Sequence, residues 1–163
     1  MSMGTPVISD RKQDGSRRLE VTPENWQALH AELQSNGFVR FEWLTAVHNL
    51  ADDFEVVSML ATNDLSQRLI VSVTCTISGL VSLSQIFPIA EFHEKEVRQM
   101  FGLQFEGLID GDAFDAPFDG HPLRRDFPLQ KRAEKAWPGA VEPDPNMRRR
   151  PSLPPGVFAE WSS

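Results

Sequence analysis

A single cysteine, Cys75, stands among 163 residues. No disulfide can form within the chain, and no thiolate cluster is present for zinc or an iron–sulfur centre. Cations are scarce as well: 16 Lys and Arg against 23 Asp and Glu leave a net charge of −7. That balance speaks against nucleic-acid binding, which rests on clustered Lys and Arg. The run Arg148-Arg149-Arg150 is short and reads as solvated. Long apolar runs are missing, and none reaches the roughly 18–20 residues of a membrane span. The first residues lack the apolar centre of a signal peptide. No nucleophile elbow, Walker loop or dinucleotide glycine fingerprint occurs. The expectation is a soluble cytosolic protein, or a soluble component docked on something larger.

What the chain does have is enough apolar material for one domain: 40% hydrophobic residues, with 11 Phe and 4 Trp. Residues 1–20 are polar, mixed in charge and without periodicity, and read as a loose N-terminal arm. Thr22-Pro23-Glu24-Asn25 is a helix start. Trp26, Leu29 and Leu33 recur at helical spacing, and Asn36-Gly37 closes a helix over 23–35. Three strands are expected next, over 38–47, 54–61 and 68–77. In the last, Leu69, Val71, Val73 and Cys75 share the apolar face, so Cys75 reads as filler rather than a reactive thiol. Short turn-rich connectors make these strands antiparallel neighbours. A second helix begins near Pro88 and ends at Phe101, with Gly102 as its cap.

The fold class that follows is α+β: a two-layer domain over 21–129, with a mainly antiparallel sheet and helices packed on one face. Six of the 12 prolines lie between Pro138 and Pro155. Residues 130–163 therefore read as an extended Pro-rich tail, lying along a partner or remaining mobile.

The second helix carries most of the charge. With Ile89 at zero and about 100° per residue, Ile89, Ala90, Phe92, Val97, Met100 and Phe101 share one half of the wheel. Glu91, Glu94, Lys95, Arg98 and Gln99 share the other. Glu91–Lys95 and Glu94–Arg98 are i,i+4 pairs in the favourable order, a self-paired solvent face. His93 and Glu96 fall in the apolar half. A buried carboxylate needs a partner, and Arg124 or Arg125 is the expected one, locking the downstream loop onto the helix through Glu96. A partner protein's cation, or exposure of that edge to water, remains the alternative.

Catalytic and metal chemistry finds little support. His93 and Val97 hold the i,i+4 relation in which two helix ligands would stand. His121 precedes Pro122 and is a positioned loop residue before it is a general base. Asp110 and Asp112 could open a calcium loop, but Phe114 and Asp115 occupy positions that need a ligand and a glycine.

Two motifs carry a resemblance. The first is Glu94-Lys95-Glu96-Val97-Arg98-Gln99-Met100-Phe101-Gly102. The second is Gly120-His121-Pro122-Leu123-Arg124-Arg125-Asp126-Phe127-Pro128. In this order they resemble the thirty-kilodalton subunit family of respiratory complex I, NADH:quinone oxidoreductase. Leu44-Thr45-Ala46-Val47 and Phe54-Glu55-Val56-Val57 look like that family's strands, and the likeness runs from about Trp26 to Leu129. Lys95 stands where the family has Arg, and Gln99 where it has Asp. Leu108-Ile109-Asp110-Gly111 stands where a His-Pro-x-Leu-Arg-Arg element usually follows. Related subunits occur in membrane-bound [NiFe] hydrogenases and formate hydrogenlyase-type complexes, so the electron donor stays open.

The resemblance implies a cofactor-free subunit of the peripheral arm, on the cytoplasmic side of the bacterial cell membrane. Its partners would be the large catalytic subunit related to the [NiFe] hydrogenase large subunit and the small iron–sulfur subunit. Iron–sulfur clusters, and a [NiFe] centre or flavin, would belong to the neighbours. The structural and partner-contact residues it implies are Glu94, Glu96, Phe101, Gly102, His121, Pro122, Arg124, Arg125 and Asp126. Two other classes compete: a free-standing enzyme using His121, Asp126 and Glu96 as acid–base groups, and a stand-alone binding module.

Overall fold

A five-stranded sheet forms the larger layer of this computed structural model, which describes residues 4–13, 16–49, 53–115 and 120–128. The elements are β1 (Ser9–Gln13), β2 (Ser16–Val21), a 3-10 turn (Pro23–Asn25), α1 (Trp26–Ser35), β3 (Arg40–His48), β4 (Phe54–Ala61), β5 (Arg68–Cys75), β6 (Leu80–Val81), α2 (Ala90–Phe101) and β7 (Phe105–Glu106). The sheet order is β1-β2-β5-β4-β3. Every pairing is antiparallel except β2 with β5. β6 and β7 make a separate two-stranded parallel ribbon. The expected α+β class and the three central strands hold, β4 at the expected residues. The expectations for the 130–163 tail lie outside the described residues.

The reading of residues 1–20 as a loose arm needs correction. Residues 9–13 and 16–21 pair as a hairpin, and β2 runs parallel to β5 from Arg17↔Leu69 to Val21↔Val73. Arg18-Leu19-Glu20-Val21 does alternate, and Leu19 and Val21 are fully inside the core. Two apolar residues are too short a pattern to register as a strand on their own. Burial against β5 and the shared ladder supply what propensity lacks. Arg18 adds an ion pair with Glu55 of β4 and a hydrogen bond to Ser72 of β5 at 3.3 Å.

The core lies between the sheet and the helices. β4 turns Phe54, Val56, Ser58 and Leu60 inward, and β5 turns Leu69, Val71, Val73 and Cys75. Burial pushes the Cys75 thiol up to about 11, in keeping with an inert filler. α1 buries Trp26, Leu29, His30 and Leu33, the i, i+3, i+4, i+7 stripe of an amphipathic helix. His30 Nδ1–H donates to the Trp26 carbonyl at 2.7 Å, and Nε2 accepts from the Ser58 hydroxyl at 2.8 Å. Burial lowers its pKa to about 4 and keeps the ring neutral. β3 carries a bulge between Phe41 and Trp43. Beyond it Leu44, Ala46 and His48 alternate inward. That alternation places a histidine at the buried end of the edge strand, where the chain from 120 to 128 arrives.

Candidate functional site

The site is the C-terminal half of α2 together with the two loops that pack on it. The helix is turned differently from the wheel expectation. Its buried stripe is Ala90, Glu94, Val97 and Phe101, roughly a quarter turn from Ile89. Ile89 and Phe92, placed in the apolar half from sequence, are 56% and 47% exposed. Glu94, expected on the solvent face, has no exposed surface. It accepts a hydrogen bond from the Ser82 hydroxyl and one from the Leu83 N–H, both at 2.6 Å. Burial raises its pKa above the ordinary carboxylate value, while those two bonds oppose the shift. The acid fits inside because the 82–84 turn presents two donors to it. Apolar counting cannot see that demand.

The expected Glu96 lock is likewise corrected. Glu96 is partly exposed, and it stands 4.0 Å from Nδ1 of His93 on the same helix. Glu91–Lys95 pairs as expected, at 2.6 Å. Arg98 does not meet Glu94, which faces away. It donates to the Gly111 carbonyl and stands 3.8 Å from Asp110. Gln99 grips Phe114 at both ends, accepting its N–H at 3.0 Å and donating to its carbonyl at 3.1 Å. An aspartate at 99 has no donor for that second bond. Arg98 and Gln99 therefore tie the acidic loop to the helix.

The second loop closes the end of α2. Gly102 takes the left-handed conformation at φ 81°, and its N–H bonds the Arg98 carbonyl at 2.9 Å. Two further terminal carbonyls are satisfied from 120–128. His121 Nδ1–H donates to Gln99 at 3.0 Å, and the Leu123 N–H donates to Met100 at 3.2 Å. Carbonyls only accept, so the proton is on Nδ1 of His121. Pro122 between them is half-buried, and Phe101, the last residue of α2, is buried. Two successive turns follow, with Arg124 N–H on the His121 carbonyl and Phe127 N–H on the Arg124 carbonyl, both 3.1 Å.

The adjacent arginines have opposite fates. Arg124 turns in: its guanidinium lies over the Phe54 ring at 5.7 Å, with Nε 3.3 Å from Asp126. Arg125 turns out and is exposed, while its backbone N–H donates to Nδ1 of His48 at 3.1 Å. His48 is buried and stacks on Phe54 at 4.7 Å, with Asp126 3.9 Å from Nδ1. His48 is not among the residues singled out from sequence, although its place in the Leu44, Ala46, His48 alternation marks it as inward-facing. The three residues of the acid–base alternative keep separate company: His121 at the helix end, Asp126 with Arg124 and His48, Glu96 with His93.

Fold and site together define a two-layer α+β domain that fixes two loops on one helix end. The profile of the family described as "Respiratory-chain NADH dehydrogenase, 30 Kd subunit" matches residues 19–133, and the chain belongs to that family. The C subunit of the NADH-quinone oxidoreductase of Rickettsia conorii is 41% identical over 98 residues, covering 55% of this chain and 40% of that protein. Its counterpart in Rhodopseudomonas palustris (strain TIE-1) is 37% identical over 97 residues, covering 56% and 48%. The chain thus matches less than half the length of these two relatives. The fold also resembles a chain in a solved archaeal respiratory membrane complex, the membrane-bound sulfane sulfur reductase. The TM-score is 0.68 at 20% identity, covering 76% of this chain and 79% of that one. Among the described residues no helix is long and apolar enough to cross a membrane.

Proposed function

We propose that this chain is a structural and assembly subunit of a complex-I-like membrane oxidoreductase. It sits in the peripheral arm, on the cytoplasmic side, and docks on the large catalytic subunit beside the small iron–sulfur subunit. It carries no redox cofactor itself; electrons pass through its neighbours. The observation that carries this reading is the match over residues 19–133 to the 30 Kd subunit family. The helix-end clamp supports it. His121, Arg124, Asp126 and Gln99 are engaged in fixing loops, and what those loops gain is a rigid outer surface.

The electron donor and acceptor have two readings. The bacterial relatives named above favour an NADH:quinone oxidoreductase. The second reading, a related energy-converting membrane-bound [NiFe] hydrogenase, rests on the family resemblance alone. The likeness to a chain of an archaeal sulfane sulfur reductase complex is one of fold and does not choose between the two. The test is an affinity tag on the chain in its own host, detergent extraction of membranes, and mass spectrometry of what is retained. Recovery of a large [NiFe]-hydrogenase-like subunit and a small iron–sulfur subunit is expected. Removing residues 138–163 should weaken that recovery. NADH oxidation by the isolated complex decides between the two readings. A chain that is recovered alone from both membranes and cytosol overturns the assignment.

A further inference from the structure

The two loop arginines divide the labour of the clamp, and the division points to a partner chemistry. Arg124 spends its charge inside the chain, between the Phe54 ring and Asp126. Arg125 makes no side-chain ion pair among the described residues and is exposed beside Leu123, itself 54% exposed. Its backbone is anything but loose. The Arg125 N–H is held by buried His48, two residues after the Leu123 N–H is held by the end of α2. The main chain is pinned on both sides of Arg124, leaving Leu123 and Arg125 pointing outward from a fixed tip. The neighbouring acid, Asp126, is engaged by Arg124, so the Arg125 guanidinium is left facing solvent. With the backbone already fixed, only the side chain has to be ordered on binding, and the guanidinium fork matches a carboxylate with two parallel hydrogen bonds.

We infer that Leu123 and Arg125 form a partner-facing tip that receives a carboxylate of the large catalytic subunit, and that His48 is the positioning residue holding the tip in place. This rests on the docking role proposed above and names the chemistry of the contact.

The test uses the full-length tagged chain expressed in its host, with recovery of the large subunit measured over a series of salt concentrations. Wild type must first retain the large subunit; if it does not, the docking role itself fails. Given retention, Arg125→Ala and Arg125→Glu should lower recovery about tenfold or more, with Arg125→Lys between them and wild type. His48→Asn keeps an acceptor near the Nδ1 position and should retain binding and slow hydrogen exchange at the Arg125 amide. His48→Leu keeps the packing but not the acceptor; it should speed that exchange and weaken recovery. Thermal unfolding of His48→Leu separates a displaced tip from a chain that no longer folds. Where that variant does not fold, the Arg125 substitutions alone carry the test, because they remove no buried contact. Retention of the large subunit by Arg125→Glu at wild-type level across the salt series overturns the inference. So does a His48→Asn chain that behaves like His48→Leu in both readouts.

Discussion

A β-carbon placed on Gly102 would stand 2.7 Å from Nε2 of His121. The helix cap and the loop that closes it are thus fitted to one another at van der Waals contact. Gly102→Ala meets two penalties: a non-glycine residue at φ 81°, and a clash that the tethered imidazole must relieve. About 1–3 kcal/mol of destabilisation is expected from the strained backbone alone. The Gly102→Ala/His121→Ala double variant removes the clash but not the strain. Thermal or denaturant unfolding of the two singles and the double should therefore show a favourable coupling between the sites. Strict additivity would place the whole penalty on the backbone.

His30 predicts an acid-side loss of stability. Its folded pKa of about 4 lies below the ordinary 6.5, so the unfolded chain binds the proton more readily. The neutral ring's contribution is complete above pH 6.5 and falls as pH drops from there through 4. The shift corresponds to at most about 3 kcal/mol. His30→Gln, which can still donate and accept, should unfold with a flatter pH profile over that window. Denaturant melts of both proteins at pH 4.5 and 7.5 measure it. A parallel pair of profiles would mean the ring is not the buried group responsible.

Much of this fold is legible in the sequence because its signals are local. Gly37 and Gly102 punctuate two helices, the 68–75 strand alternates over eight residues, and Trp26, Leu29 and Leu33 mark one helical stripe. The errors come where a distant group sets the preference. Leu19 and Val21 form a strand because β5 offers an edge. Glu94 goes inside because Ser82 and Leu83 turn donors toward it. The helical wheel implies a buried acid on α2, yet it selects Glu96. It gives weight to Ile89 and Phe92, whose apolar side chains remain substantially exposed. Contact between the Gly120–Pro128 loop and α2 is expected from sequence, but it runs through helix-end carbonyls and not through a salt bridge. Backbone acceptors leave no mark in a residue pattern.

Glu94 should give a pH slope opposite to that of His30. Its folded pKa is raised above 4.5, so the native state holds the proton more tightly than the unfolded chain. Its effect is most favourable below 4.5 and is lost as pH rises through the folded value. Glu94→Gln removes that titration, so the stability of wild type relative to the variant should fall as pH rises above 4.5. Glu94→Ala should instead be destabilising throughout, by about 1–3 kcal/mol, since Ser82 and the Leu83 N–H lose their acceptor. Denaturant melts across pH 4 to 8 distinguish the three proteins. A Glu94→Ala chain as stable as wild type would show that the 82–84 turn does not depend on the acid.

Arg124 and Arg125 should separate cleanly in stability. Arg124 is mostly covered, its guanidinium on the Phe54 face and its Nε near Asp126. Arg124→Ala removes the cation–π contact and the packing of the aliphatic stem, for an expected loss of about 1–2 kcal/mol. Arg125 is exposed and contributes only its backbone N–H to the fold, which alanine retains. Arg125→Ala should stay within about 0.5 kcal/mol of wild type. Because the Arg124 contacts include a charge pair, part of its effect should fade in high salt, whereas the stem's packing should not. Thermal melts of both variants at low and high ionic strength measure the split. Equal stability losses for the two substitutions would contradict the assignment of Arg124 to the interior and Arg125 to the surface.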